Sequence, residues 1–248
     1  MKLLNLLMAL LTMTITHAQA NTCSAASGAQ RVALLELYTS EGCDSCPPTD
    51  RWVSALATRG FAGDRVIPLA FHVDYWNYLG WKDPFAQARH TERQRFVNAR
   101  VRTRTIYTPQ LMLDGKDYRR GLSVEAFTSD IAAINRLKPG AAIDLKLAGV
   151  SGALDVSATI TAPASAQVYF ALTENRLSNQ VTAGENRGHR LEHDYVVREL
   201  AGPFATAGAR HRFSVNPNWK TRDLTTVAFV QDAASGEVLQ ALALPYCG

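Results

Sequence analysis

Two cysteines three positions apart, in Cys43-Asp44-Ser45-Cys46, are the residues whose type and spacing point most directly to chemistry. At the start of a helix, unpaired N–H groups and the helix dipole favour a thiolate. Cys43 can then attack a disulfide, and Cys46, one turn on, can resolve the mixed disulfide. The same spacing serves as half of a zinc site or as a passive structural bridge. Zinc needs two more ligands at suitable spacing; no second CxxC is present, and Cys23 and Cys247 stand at the far ends of the chain. Asp44 places a like charge beside the nucleophile. It is expected to raise the Cys43 pKa and make the dithiol less oxidising than a strong oxidase. Pro47-Pro48 disfavours helical angles in the preceding residue, so the helix is expected to begin near Pro48, with Cys46 closer to its entry than Cys43.

Four other constellations carry possible chemistry. His189-Arg190-Leu191-Glu192-His193 spells HxxEH, a zinc-peptidase pattern when both histidines share a helix face. Gly184 and Gly188 before it and Tyr195-Val196-Val197 after it favour a strand entry or loop instead, without metal. His72 and Asp74 project to one side of a strand end, as a metal or acid–base pair or as a hydrogen-bonded structural unit. The aromatic run Tyr75 to Trp81, with Trp76 in it, supplies either the floor of a substrate groove or a packed cap over a sheet. Arg89, Arg93, Arg95, Arg100, Arg102 and Arg104 read as a solvated helix face.

The elements that must position these residues are legible from periodicity. Arg31 to Thr39 and Arg65 to Val73 are nearly continuous apolar runs of strand length. Between them Trp52, Val53, Leu56 and Ala57 recur at helical spacing up to Gly60, which predicts a helix over 49–59. A helix over 85–100, a strand over 110–114, a short extended piece and a helix over 123–137 complete a β-α-β-α-β-β-α order. Lys138-Pro139-Gly140 breaks the chain. Beyond it, strand-length runs at 142–147, 154–161, 166–173, 224–231 and 237–244 predict a β-sandwich of immunoglobulin-like size. Residues 178–188 read as a long polar loop. The expected domains are therefore 21–138 and 139–248.

Composition bounds the function classes. The 248 residues are 47% hydrophobic and carry a net charge of +4, enough apolar material for real cores but no concentrated positive field for nucleic acid. Lys2, the apolar run from Leu3 to Leu11 and Ala18-Gln19-Ala20 read as a secretory signal over 1–20, too short to span a bilayer, which takes about 20 apolar residues. In an oxidising compartment disulfides persist. Local pairing of Cys43 with Cys46 leaves Cys23 to Cys247, a staple across the ends, unless Cys23 is a loose thiol in a frayed tail.

Thr108-Pro109, just before the strand at 110, lies where thioredoxin-like proteins carry a cis-proline facing their CxxC. Together with the element order, it resembles a thioredoxin-like fold. That resemblance implies Cys43 as nucleophile, Cys46 as resolving thiol, and Thr108 with Pro109 as the lip where a substrate backbone pairs. Gly42 departs from it, standing where thioredoxins carry Trp. The strings LYTSEGCDSCPPTD (37–50), FHVDYWNYLGWKDPFA (71–86), TERQRF (91–96), YTPQLMLDG (107–115) and VAFVQD (227–232) resemble a bacterial secreted family known as domain of unknown function 1223. The resemblance brings no established reaction. The resulting expectation is an α/β thioredoxin-like domain followed by a β-sandwich. In function it would be a periplasmic thiol–disulfide oxidoreductase, with no bound cofactor, acting on a protein or small disulfide. No nucleic-acid partner and no stable membrane insertion after signal cleavage are expected. The alternative is a non-catalytic binding module braced by structural disulfides.

Overall fold

The computed structural model describes residues 21–101 and 105–247. The expected signal at 1–20 lies outside the described residues, as do Arg102 and Arg104. Among the described residues no helix is long and apolar enough to cross a membrane.

In chain order the elements are β1 (Thr22–Ala26), β2 (Ala33–Thr39), α1 (Pro47–Ser54), β3 (Val66–His72), α2 (Ala88–Arg100), β4 (Gln110–Leu113), β5 (Lys116–Asp117) and α3 (Val124–Asn135). There follow β6 (Ala142–Val150), β7 (Ala153–Thr161), β8 (Ala166–Glu174), β9 (Leu177–Gln180), β10 (Arg190–His193), β11 (Val196–Ala205), β12 (Ala209–Ser214), β13 (Leu224–Asp232) and β14 (Val238–Pro245). Local signals account for most boundaries. Pro47 opens α1, and Gly60 at φ 83° ends the single 3-10 turn that follows it. Ser123 caps α3 by accepting the Ala126 N–H.

A thioredoxin-like α/β domain followed by a separate sandwich is not what this chain builds. The protein is mostly β, and strands from both halves join one eight-stranded mixed sheet in the order β14-β13-β8-β11-β3-β2-β4-β5. The junction is β11 alongside β3, parallel at Val196 and Ala70, with the Ala70 N–H donating to the Tyr195 carbonyl at 2.8 Å. The pairing is confined to this one residue pair, so β11 meets β3 near the C-terminal end of β3 and not along its whole edge. A second sheet, β1-β6-β7-β12, packs face to face on the β8, β11 and β13 end of the large one.

Three apolar layers result. Leu145, Leu147, Leu154, Val156 and Phe213 meet Val168, Phe170, Leu172 and Val230 between the sheets. The opposite face of the large sheet, through Phe71, Tyr169, Val227 and Phe229, packs with Val97 of α2. Near β2, the other side is closed by Trp52 and Val53 of α1 and by Phe127 and Ile131 of α3. β8 and β13 thus bury side chains on both faces, which explains their near-continuous apolar sequences. Cys23 is bonded to Cys247, with a Cα separation of 6.2 Å, tying β1 to the chain just beyond β14.

Candidate functional site

Cys43 and Cys46 form a disulfide in the loop joining β2 to α1. Cys43 belongs to a preceding turn, its N–H donating to the Ser40 carbonyl at 3.2 Å, whereas Cys46 is the residue that caps α1. Thr49 and Asp50 donate their N–H groups to the Cys46 carbonyl at 2.9 and 3.1 Å. Both cysteines are buried, at 1% and 0% exposure, while Asp44 and Ser45 between them face solvent.

The loop is fixed by side chains from three directions. Glu41, itself buried, accepts from Trp81 Nε1 at 2.8 Å and Asn179 Nδ2 at 2.8 Å, and its Oε1 lies 3.0 Å from His193 Nε2. Its N–H donates to Asp83 Oδ2 at 2.9 Å, and that oxygen also holds His72 Nδ1 at 2.7 Å. Asn186, from the hairpin of β9 and β10, donates to the carbonyls of Glu41 at 2.8 Å and Cys43 at 2.9 Å. Glu185 beside it accepts the Asp44 N–H at 3.2 Å. The dithiol loop is therefore held in place by residues some 140 positions later in the chain.

Charge is concentrated beneath it. Burial raises the Asp50 carboxyl, despite the opposing influence of His193 and His72 and a hydrogen bond from Thr39. Burial works against a charged His72, yet Asp83 outweighs it and the imidazole is raised. Burial likewise opposes ionisation of Asp83, but His72 and two backbone N–H groups hold it below the usual carboxylate range. The His72 and His193 rings stand 4.8 Å apart, edge to face. A cleft of about 110 Å³ between α1 and β10 reaches Asp50 and His193 past Pro47, Arg51 and Arg190.

The expected groove residues are partly assembled. Trp76 donates Nε1 to Thr108 Oγ1 at 2.7 Å, the Thr108–Pro109 peptide is cis, and Trp76 lies against Gly42, where an added Cβ would meet the Trp76 Cβ at 3.0 Å. A side chain at 42 would crowd Trp76, whose Cβ and carbonyl oxygen would have to give way slightly, and glycine avoids that crowding.

Other expectations are corrected. His72 and Asp74 do not pair: His72 turns to Asp83, and Asp74 accepts from Thr91 Oγ1 at 2.6 Å. Arg93 is not on a solvated face but buried, bonded to Glu36 at 2.9 and 3.1 Å. Residues 178–188 are not simply loop, because they carry most of β9, and the HxxEH stretch enters β10 with His189 and Glu192 exposed. Sequence reasoning missed Glu41, Asp50, Asp83 and Asn186. The first two flank the cysteines, but nothing local links them to His193 or Asn186.

Fold and site together define a class: two packed β-sheets carrying a buried CxxC disulfide whose loop is hydrogen-bonded by a hairpin from the other half of the chain. Residues 34–231 match the family described as protein of unknown function DUF1223, and the chain belongs to that family. It is similar to a protein of Agrobacterium tumefaciens whose crystal structure was determined by a structural genomics consortium. That similarity is 25% identity and a TM-score of 0.64, covering 86% of this chain and 94% of the other. No curated protein matches the chain.

Proposed function

We propose that this protein is an extracytoplasmic thiol–disulfide oxidoreductase acting through Cys43 and Cys46 on a protein or small disulfide, without a bound cofactor. The observation carrying this reading is the CxxC disulfide at the entry to α1, set over a buried group of titratable side chains. A second disulfide between Cys23 and Cys247, and the signal-like residues 1–20, support an oxidising compartment. In the reducing direction, the Cys43 thiolate attacks one substrate sulfur and expels the other as a thiolate. Cys46 then attacks Cys43 Sγ, releases the second substrate thiolate and closes the Cys43–Cys46 bond, so two electrons pass to the substrate. An external dithiol must then reduce the pair. The oxidising direction is the reverse sequence.

The first test is the reduction potential of the Cys43–Cys46 pair, equilibrated against glutathione or dithiothreitol and read by thiol-labelling gel shift. A value between about −120 and −270 mV is expected of a working redox protein. The burial of both cysteines favours a second reading, a binding module in which the bond is a brace. That reading predicts a value below about −300 mV. Cys43→Ser separates the two in function: it should abolish exchange under the first and lower only stability under the second.

A further inference from the structure

The hairpin of β9 and β10 pairs its backbone only with itself, as a two-stranded sheet outside both large ones. Isolated hairpins are marginal in water, so its position depends on what it touches. Its polar contacts converge on the dithiol loop, while Val181 and Leu191 are buried and the His193 ring stands against His72 and Phe85. Asn179 and His193 reach Glu41, Asn186 holds the Glu41 and Cys43 carbonyls, and Glu185 accepts the Asp44 N–H. At its two roots stand Arg176 and Tyr195, non-glycine residues with φ of 56° and 59°. Left-handed backbone at both roots is where a hinge would absorb rotation. The narrow cleft between α1 and β10 marks a seam along which the two can part.

We infer that the β9–β10 hairpin is a gate over Cys43 and Cys46, turning on Arg176 and Tyr195, with Asn186 as its main latch and Glu185 as a lesser one. With the gate closed, cysteines at 1% and 0% exposure leave little room for the in-line approach that thiol exchange requires. Exchange then waits for opening, whatever the size of the attacking thiol. The inference goes beyond the oxidoreductase reading, because it governs access to the disulfide whether that bond is catalytic or a brace.

The test is the rate at which dithiothreitol reduces the Cys43–Cys46 bond in the intact chain. Each time point is quenched by alkylation, and Cys43 and Cys46 are scored by peptide mass spectrometry. Each reduction consumes one dithiol, which becomes the cyclic disulfide, and leaves two protein thiols. A gated bond gives a rate far below that of the denatured chain, which levels off at the opening rate once dithiothreitol is concentrated enough for attack to outrun reclosing. Asn186→Ala should raise that plateau about tenfold, and Glu185→Ala, at an exposed position, should raise it less. Because a gate speeds both directions equally, neither variant should move the equilibrium with glutathione by more than about twofold. A rate rising linearly to that of the denatured chain overturns the gate, as does a plateau unchanged in both variants. If Asn186→Ala fails to fold, hydrogen exchange of the unaltered protein decides. Amides of 177–193 exchanging together, well ahead of β8 and β13, support the gate, and exchange only with those core strands refutes it. The reduction potential is an equilibrium quantity, so its outcome bears on the oxidoreductase reading and leaves the gate untouched.

Discussion

Arg93 shows how much a single residue's neighbours matter. Its guanidinium is buried against Glu36 and lies over the rings of Tyr169 and Phe229, at 5.0 and 5.4 Å from their centroids. Removing one partner of a buried ion pair strands the other, so Arg93→Met should cost about 3–5 kcal/mol in urea unfolding. A loss below about 1 kcal/mol would show that Glu36 finds another partner. His90 sets an acid limb of the stability curve. Burial pushes its imidazole down to about 3, although its Nδ1 bonds the His72 carbonyl at 3.0 Å. A depressed histidine binds protons in the unfolded chain first, so its contribution is present above about pH 6.5 and lost progressively as pH falls toward 3. His72, raised by Asp83, has the opposite sign: its contribution is full below about pH 6.5 and fades as pH rises through its folded pKa. His90→Gln should flatten the acid limb of urea stability measured from pH 7 to 4; an unchanged slope would assign that limb elsewhere.

At the scale of elements, the turns that lock strands together are the sensitive points. Gly115, between β4 and β5, has φ 79°, and a Cβ there would lie 2.2 Å from the Gly236 carbonyl oxygen in the β13–β14 turn. Gly115→Ala therefore meets backbone as well as an unfavourable dihedral, and a loss of roughly 1–3 kcal/mol is expected in thermal or urea unfolding. Ser123→Ala, which removes the α3 cap and the exposed bond from Ser123 Oγ to Glu125, should cost about 1 kcal/mol, giving a comparison in which only local hydrogen bonds are lost. Element identities were legible where they rest on local rules. The apolar runs of β2 and β3, Gly60 after the α1 segment and Ser123 before α3 all express dihedral or burial preferences of nearby residues. β1, β11 and β12 escaped because their patterning is weak. β11 in particular is interrupted by two register shifts and by Gly202-Pro203, so neither alternation nor a continuous run survives.

Across the whole molecule, the Cys23–Cys247 bond spans 224 residues and joins the edge of the small sheet to the end of the large one. Chain-entropy reasoning assigns such a closure about 5 kcal/mol, so the Cys23→Ser, Cys247→Ser pair should unfold at markedly lower urea concentration. If the midpoint hardly moves, the unfolded chain is already compact enough to keep its ends together. The same large sheet explains why the dithiol cannot be considered apart from the C-terminal half. β11 joins β3 next to the site, and the hairpin preceding β11 is thereby brought against the dithiol loop.

By itself the sequence determined the CxxC, the strand before it, the helix after it and the local pairing of its cysteines, because each depends on residues within one or two turns of chain. It also supplied the cysteines of the terminal staple. Only the tertiary structure decided that the two halves share a sheet, that Glu41 meets His193 and that Asn186 holds the Cys43 carbonyl. Those contacts join residues more than 120 positions apart. Which distant groups meet is fixed by strand pairing and by the need to satisfy every buried polar atom, conditions that apply to the folded chain as a whole.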